Sequence, residues 1–170
     1  MDIQNDPTTT RELIDEFCKE SSSLIHEMET ILEELEQNVK PQGKFEKFGQ
    51  LIDRIMGAAK SFNANEIADF CELGKIIGYK ADQTQDPKLL RVVVAILFDA
   101  TYLLEKMITS LKTGDANALH NLNTHAFATR LRWLSDKFKH IERGSCAYSV
   151  EEKKNLTQNA IDDLIKSLGL

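Results

Sequence analysis

The sequence predicts an all-α protein: an antiparallel four-helix bundle with an additional fifth helix and a C-terminal amphipathic helix. Three observations predict this class. Apolar residues recur every three or four positions through most of the chain, as they do along the buried face of a helix. Only 3 Pro and 8 Gly occur in 170 residues, which favours helices over a sandwich or barrel. A heptad spacing of apolar residues also runs from Leu90 to Leu111, which is typical of bundle helices.

Four helices are predicted in the unit formed by residues 10–114, after a frayed N-terminus at residues 1–9. The first covers about 10–38 and stops before Pro41-Gln-Gly43, a sequence that breaks helices. The second and third are separated by the turn Asn63-Ala-Asn65. The fourth starts at Pro87, since proline fits the first turn of a helix. The residues expected to face the core are Ile14, Phe17, Ser21, Leu24, Met28, Ile31, Leu35, Phe45, Phe48, Ile52, Ile55, Ala59, Phe62, Ile67, Phe70, Leu73, Ile77, Leu90, Val93, Leu97, Ala100, Leu104, Met107 and Leu111.

The sequence of residues 115–170 predicts one more bundle helix and a separate tail. The extra helix is expected within residues 115–142, and it carries most of a basic patch that is either a solvated face or a docking surface. Residues 143–148 form a linker. The tail helix covers 149–170, and Ser149 with Glu152 makes a capping box at its start, in which each side chain satisfies a backbone amide of the first turn.

Composition and charge exclude several functions. The net charge of -6 argues against nucleic acid, which requires a basic footprint, and against binding to anionic membranes. The longest apolar run, Val92–Phe98, is too short to span a bilayer. The polar, acidic start of the chain does not fit a secretory signal, and three widely spaced cysteines form no disulfide framework or metal motif. We therefore expect a cytoplasmic protein with no cofactor or metal of its own.

The second helix contains the stretch Arg54-Ile-Met-Gly57-Ala-Ala59-Lys60-Ser61. Together with the order of the helices over residues 10–112, this stretch resembles the histidine phosphotransfer (HPt) domain, especially the one at the front of the chemotaxis kinase CheA. The hallmark of that family is Arg-x-x-His-x-Leu-Lys-Gly, in which the His accepts and donates phosphate. The resemblance implies a four-helix bundle of HPt type. Arg54 and Lys60 match the motif, whereas Gly57 stands at the position of the His.

A glycine has no side chain to phosphorylate, so this departure excludes phosphotransfer at the family position. Helical spacing places Gly57 away from the buried seam, on a face with Arg54, Lys60 and Ser61. A Gly in a helix interior costs roughly 1 kcal/mol relative to Ala. One interpretation is a shallow patch on which a receiver domain can come close; the other is an exposed position that simply tolerates glycine.

The last residues of the chain resemble the C-terminal peptide by which the chemotaxis phosphatase CheZ holds the response regulator CheY. The residues that carry this resemblance, and the predicted partner contacts, are Gln158, Ile161, Asp162, Asp163, Leu164, Leu168 and Leu170. Apolar residues of the tail form one stripe at helical spacing, with the two aspartates beside it. Such a stripe suits binding of a helix in a groove, and the alternative is a terminal helix packed on its own domain.

Three functions are compatible with these patterns. The favoured one is a non-catalytic adaptor in chemotaxis or phosphorelay signalling, which binds a CheY-like receiver; any Mg²⁺ would belong to that receiver. The second is a phosphatase of the CheZ type, for which an acid and an amide one turn apart would orient water. Glu33 with Gln37 and Glu46 with Gln50 have this spacing, although the family's longer motif is absent. The third is a structural helical protein without a receiver partner, which could form a homodimer through the extra helix.

Overall fold

The computed structural model describes residues 7–38, 40, 43–114 and 124–141. These residues form five α-helices and no strand, so the predicted all-α class is confirmed. The helices are α1 (Pro7–Gln37), α2 (Lys44–Ser61), α3 (Asn65–Asp82), α4 (Pro87–Thr113) and α5 (Thr124–Ile141). No helix in the described part of the chain is long and apolar enough to cross a membrane.

The predicted core is confirmed residue by residue along α1 to α4. The expected inward side chains are buried, except that Ile14, Phe62 and Leu111 are partly buried and pack against the core. The α1 helix begins at Pro7, ahead of the predicted start near residue 10, because Pro is well suited to the first turn. The α5 helix begins at Thr124; residues 115–123, where the sequence places its first turns, and the predicted linker and tail lie outside the described residues.

The ends of α4 show how local sequence sets a boundary. The Asp86 carboxylate accepts hydrogen bonds from the backbone N–H groups of Lys88 and Leu89, which caps the first turn. Pro87 follows as the first helical residue. At the other end, Gly114 adopts a left-handed conformation with φ 71°, which terminates helices at low steric cost.

The α2 and α3 helices pack closely because α3 carries two glycines on the contact face. A Cβ atom added to Gly78 would lie 3.2 Å from the backbone oxygen of Phe45, and one added to Gly74 would lie 2.4 Å from Cδ1 of Ile52. The α3 backbone therefore approaches α2 more closely than a side chain would allow. This contact fixes the orientation of α2, including the side that faces solvent.

The α5 helix lies against α3 and α4. The Phe127 ring stacks on Phe70 with 6.0 Å between ring centroids, and Lys80 Nζ lies 5.8 Å from the centroid of Phe138. From Phe70 to Lys80 on α3, the contacts advance from Phe127 to Phe138 on α5. The α5 helix therefore runs parallel to α3, and antiparallel to α4, which runs in the opposite direction to α3. The extra helix thus extends the core of the bundle at one corner.

Candidate functional site

The solvent side of α2 is the surface on which the sequence places its candidate residues. One side of this helix is buried in the core, with Phe45, Ile52 and Ile55 essentially inaccessible. The opposite side exposes Gly57 and Lys60. The sequence periodicity alone predicts this division, because a 3.6-residue repeat assigns each position to a side of the helix.

Gly57 lies at the open part of this surface. A Cβ atom built on Gly57 would meet nothing within 4 Å. The glycine is therefore not required by packing, in contrast with Gly74 and Gly78 on α3. Its effect is to expose the helix backbone at a position where any other amino acid would present a side chain.

The α1 helix borders this surface with ion pairs. The Arg54 guanidinium donates a hydrogen bond of 2.8 Å to Oε1 of Glu20. Two more ion pairs join the same helices, Lys47 with Glu27 and Lys44 with Glu34, both at 2.9 Å. Arg54 is therefore directed towards α1 and shares its charge with a carboxylate.

The α3 helix borders the other side. Lys75 Nζ donates to Oδ1 of Asp53 at 2.7 Å and lies 5.9 Å from the centroid of the Tyr79 ring. A Cβ atom on Gly49 would be 3.6 Å from that ring, so the tyrosine lies along α2. Tyr79 remains 39% exposed, and it adds an aromatic edge to the surface.

The C-terminal end of α2 supplies the unpaired charge. Ser61 Oγ donates to the backbone oxygen of Ala58 at 2.7 Å, so this hydroxyl is used locally. Lys60 is exposed in the last turn, and its side-chain ammonium has no hydrogen bond or ion pair with any described residue. A cation there is favoured by the helix dipole, and Lys60 is available to an anionic partner.

The structure brings together one group of predicted residues and leaves another undescribed. Arg54, Gly57, Lys60 and Ser61 share the exposed side of α2, as expected. The predicted tail contacts, from Gln158 to Leu170, lie outside the described residues. Glu20, Lys75 and Tyr79 were missed by sequence reasoning, because nothing along the chain indicates which distant side chains border α2.

The acid–amide pairs are solvated. Glu46 and Gln50 are exposed on the same side of α2 as Gly57, and Glu33 and Gln37 are exposed near the end of α1. Gln50 lies roughly 10 Å along the helix from Gly57, at about 1.5 Å per residue. Within the described residues there is no group of three or more metal-ligating side chains.

Two cations of the basic patch predicted on the extra helix contact other side chains. Arg130 is paired with Asp99 of α4, and Lys137 Nζ lies 5.3 Å from the centroid of the Trp133 ring. Partial burial raises the pKa of Asp99, and the neighbouring Arg130 cation opposes that rise. This surface is separate from the α2 surface, since α5 lies on the other side of α3.

Comparison with known protein families identifies a match over the bundle. The family model described as "Hpt domain" matches residues 12–114. The match covers α1 to α4 and therefore includes the whole exposed side of α2. Searches of the curated proteins and of the solved structures gave no significant match.

Proposed function

Since this chain belongs to the Hpt domain family, whose members act in phosphorelay signalling and interact with receiver domains, we propose that it is a receiver-binding adaptor that cannot carry phosphate at the family's usual position. The adaptor holds a CheY-like response regulator by two contacts. One is the exposed side of α2 around Gly57, and the other is the C-terminal tail.

The observation that carries this proposal is Gly57 itself. It stands where the family motif has its phosphorylated His, it lies inside the matched segment, and it is exposed with free space around it. A position kept open to solvent but lacking a side chain supports docking without group transfer. The bare backbone also allows a partner helix to approach more closely than a His would.

The charge distribution around Gly57 supports the same proposal. Arg54 is engaged by Glu20 at 2.8 Å, and Asp53 is engaged by Lys75 at 2.7 Å. The surface therefore presents compensated charges on both sides, with Lys60 as its unpaired cation among the described residues. Charged groups at an interface contribute more to specificity than to affinity, so these pairs would orient a partner.

The tail is the second proposed contact with the receiver, and its sequence is the reason for proposing a role in chemotaxis. It is similar to the peptide by which CheZ binds CheY, with an apolar stripe that includes Ile161, Leu164 and Leu168. Two weak contacts on one chain raise each other's effective concentration on a shared partner. The tail would then supply affinity for the receiver, and the α2 surface would select among receivers.

Titration against a CheY-like receiver, with and without beryllofluoride as the phosphate mimic, tests this proposal. We expect binding that strengthens on activation and weakens both in a chain ending at Ala147 and in the Lys60→Glu variant. Lys88→Glu, an exposed lysine at the start of α4, is the matched control and should bind as the wild type does. Absence of binding by the full chain to activated receivers would refute the adaptor function.

A phosphatase of the CheZ type is the second candidate. It is favoured by one observation: Glu46 and Gln50 are exposed on the same side of α2 as Gly57. An acid and an amide one turn apart can orient a water molecule for attack on an aspartyl phosphate. Decay of the phosphorylated receiver separates the two functions. Unchanged decay supports the adaptor, whereas faster decay that is lost in Gln50→Ala, but not in Gln37→Ala, establishes the phosphatase.

A further inference from the structure

The exposed side of α4, together with the adjoining side of α5, forms a second surface with unusual composition. We name it the α4–α5 face and define it by Arg91, Tyr102, Lys106, Arg130 and Trp133. Tyr102 is 49% exposed and Trp133 is 42% exposed, which makes them two of the most accessible large apolar side chains among the described residues. A surface that exposes Trp and Tyr between cations is typical of a binding site rather than of a solvated helix.

The Asp99–Arg130 ion pair locates the two aromatic residues relative to each other. It joins α4 to α5, and Tyr102 follows Asp99 by one turn while Trp133 follows Arg130 by one turn. Because the two helices are antiparallel, the aromatic residues lie on opposite sides of the ion pair. They are roughly 10 Å apart along the bundle axis, at about 1.5 Å per residue.

Cations accompany both rings. Lys106 Nζ lies 5.1 Å from the centroid of Tyr102, and Lys137 Nζ lies 5.3 Å from the centroid of Trp133. Arg91 is exposed, and its guanidinium has no hydrogen bond or ion pair with a described residue. These cations extend over roughly 22 Å of α4, from Arg91 to Lys106. The face therefore fits an amphipathic helix with acidic residues beside its apolar stripe.

We propose that the occupant of the α4–α5 face is the chain's own tail, residues 149–170, folded back along α5. The α5 helix ends at Ile141, at the end of the bundle where α4 begins, and residues 142–148 are sufficient to reverse the direction of the chain. The tail is thereby tethered beside the face, so docking needs little intrinsic affinity.

Lengths and charges agree with this arrangement. Along a helical tail, Asp163 lies roughly 21 Å from Ser149, and along α5, Arg130 lies roughly 17 Å from Ile141. The carboxylate of Asp163 thus falls within one turn of the Asp99–Arg130 pair. Glu152, on the same edge of the tail, falls close to Lys137. On the same scale, Leu156 of the apolar stripe falls beside Trp133 and Leu164 falls beside Tyr102, so the stripe would cover both exposed rings.

Docking has a regulatory consequence, and this part rests on the proposed function. The stripe that would bind the receiver is the same stripe that would cover Trp133. The two complexes exclude each other, so the receiver must displace the tail from the bundle. An activated receiver, with higher affinity for the tail, would release it where an inactive receiver would not.

Trp133 is the single Trp of the chain, which makes docking directly measurable by its fluorescence. The experiment uses the full chain and compares quenching of Trp133 by acrylamide in the wild type, in Leu156→Ala with Leu164→Ala, and in Asp163→Lys. We expect the wild type to be protected, and both variants to show increased quenching and a red-shifted emission. Asn155→Ala with Asn159→Ala is the matched control, since these residues lie on the other side of the tail from the stripe, and it should remain protected.

Each outcome bears on the proposal. Equal quenching in all four proteins would overturn it, because the tail would then not cover Trp133. Protection that disappears on dilution, equally in wild type and variants, would also overturn it and would identify a second copy of the chain as the occupant. Adding activated receiver to the wild type is a separate step: increased quenching supports displacement, while failure to bind refutes the adaptor function without affecting the first comparison.

Discussion

Arg54 on α2 donates a 2.8 Å hydrogen bond to the carboxylate of Glu20 on α1, directly beside the exposed Gly57. The sequence motif alone presents Arg54 as a cation available to a phosphate or an acidic partner. In the structure, the Arg54 cation is instead paired with the Glu20 carboxylate of α1. Lys60 is consequently the cation that distinguishes this surface, and Arg54 has the role of joining two helices at its border.

Removal of this ion pair should have little effect on stability. Both side chains are more than half exposed, at 60% and 57%, and exposed pairs contribute about 1 kcal/mol or less. We expect Glu20→Gln to change the free energy of unfolding in urea by no more than that amount. Lys44→Gln, which removes a 2.9 Å pair with Glu34 elsewhere on the same two helices, is the control. A loss of several kcal/mol in Glu20→Gln alone would show that the pair has a structural role.

Gly57→Ala should stabilise the protein. A Cβ atom meets nothing within 4 Å at this position, and Ala is more favourable than Gly in a helix by roughly 1 kcal/mol. The control is Gly78→Ala, where the new Cβ would lie 3.2 Å from a backbone oxygen and should destabilise. Urea unfolding of the two variants measures both effects. A destabilised Gly57→Ala would mean that Gly57 is required for packing.

Gly57→His should create a phosphoacceptor. The position is exposed and unobstructed, so an imidazole can project into solvent as the family motif requires. We expect the variant to fold and to accept a phosphoryl group from a phosphorylated receiver, with the group passing from the aspartyl carboxylate to the imidazole nitrogen. Acid-labile phosphorylation seen by mass spectrometry is the measurement, and wild type and Gly57→Ala are the negative controls. A folded variant that binds the receiver but stays unphosphorylated would contradict the alignment of Gly57 with the family's His.

Phe127→Ala should detach α5 from the bundle. The ring is 5% exposed and stacks on Phe70 with centroids 6.0 Å apart, and such truncations cost about 3–5 kcal/mol. Leu13→Ala, at a side chain that is 47% exposed, is the control and should be nearly neutral. Urea unfolding followed by circular dichroism distinguishes loss of α5 alone from global destabilisation.

Cys71 should make stability fall at high pH. Burial raises the pKa of its thiol from 9.0 to about 12, so the folded state holds the proton more tightly than the unfolded state does. The stabilisation is fully present below pH 9 and is lost as pH rises towards the folded pKa. The difference in unfolding free energy between wild type and Cys71→Ala should therefore shrink between pH 9 and 12. A constant difference across that range would show that the thiol is not protected by burial.

Most of the bundle could be predicted because its signals are local. The apolar positions of α1 to α4 repeat at helical spacing, and Asp86, Pro87 and Gly114 mark the ends of α4 by the chemistry of their own turns. The exposed side of α2 follows from the same repeat. The charged borders of that side could not be predicted, because Glu20 and Lys75 are distant from α2 in the chain and resemble any other surface charge.

The sequence by itself determined that this chain is helical and which residues face its core, and it predicts that the acceptor position of the family motif carries no side chain. These are properties of periodicity and of residue type, and they need no knowledge of neighbouring helices. Only the tertiary structure decided that Arg54 is paired with Glu20, that Gly57 is unobstructed, and that Tyr102 and Trp133 lie on either side of one ion pair. The physical reason is that charge pairing and exposure depend on how helices pack against each other. That packing is fixed by close contacts such as those at Gly74 and Gly78, far from the residues whose surroundings it sets.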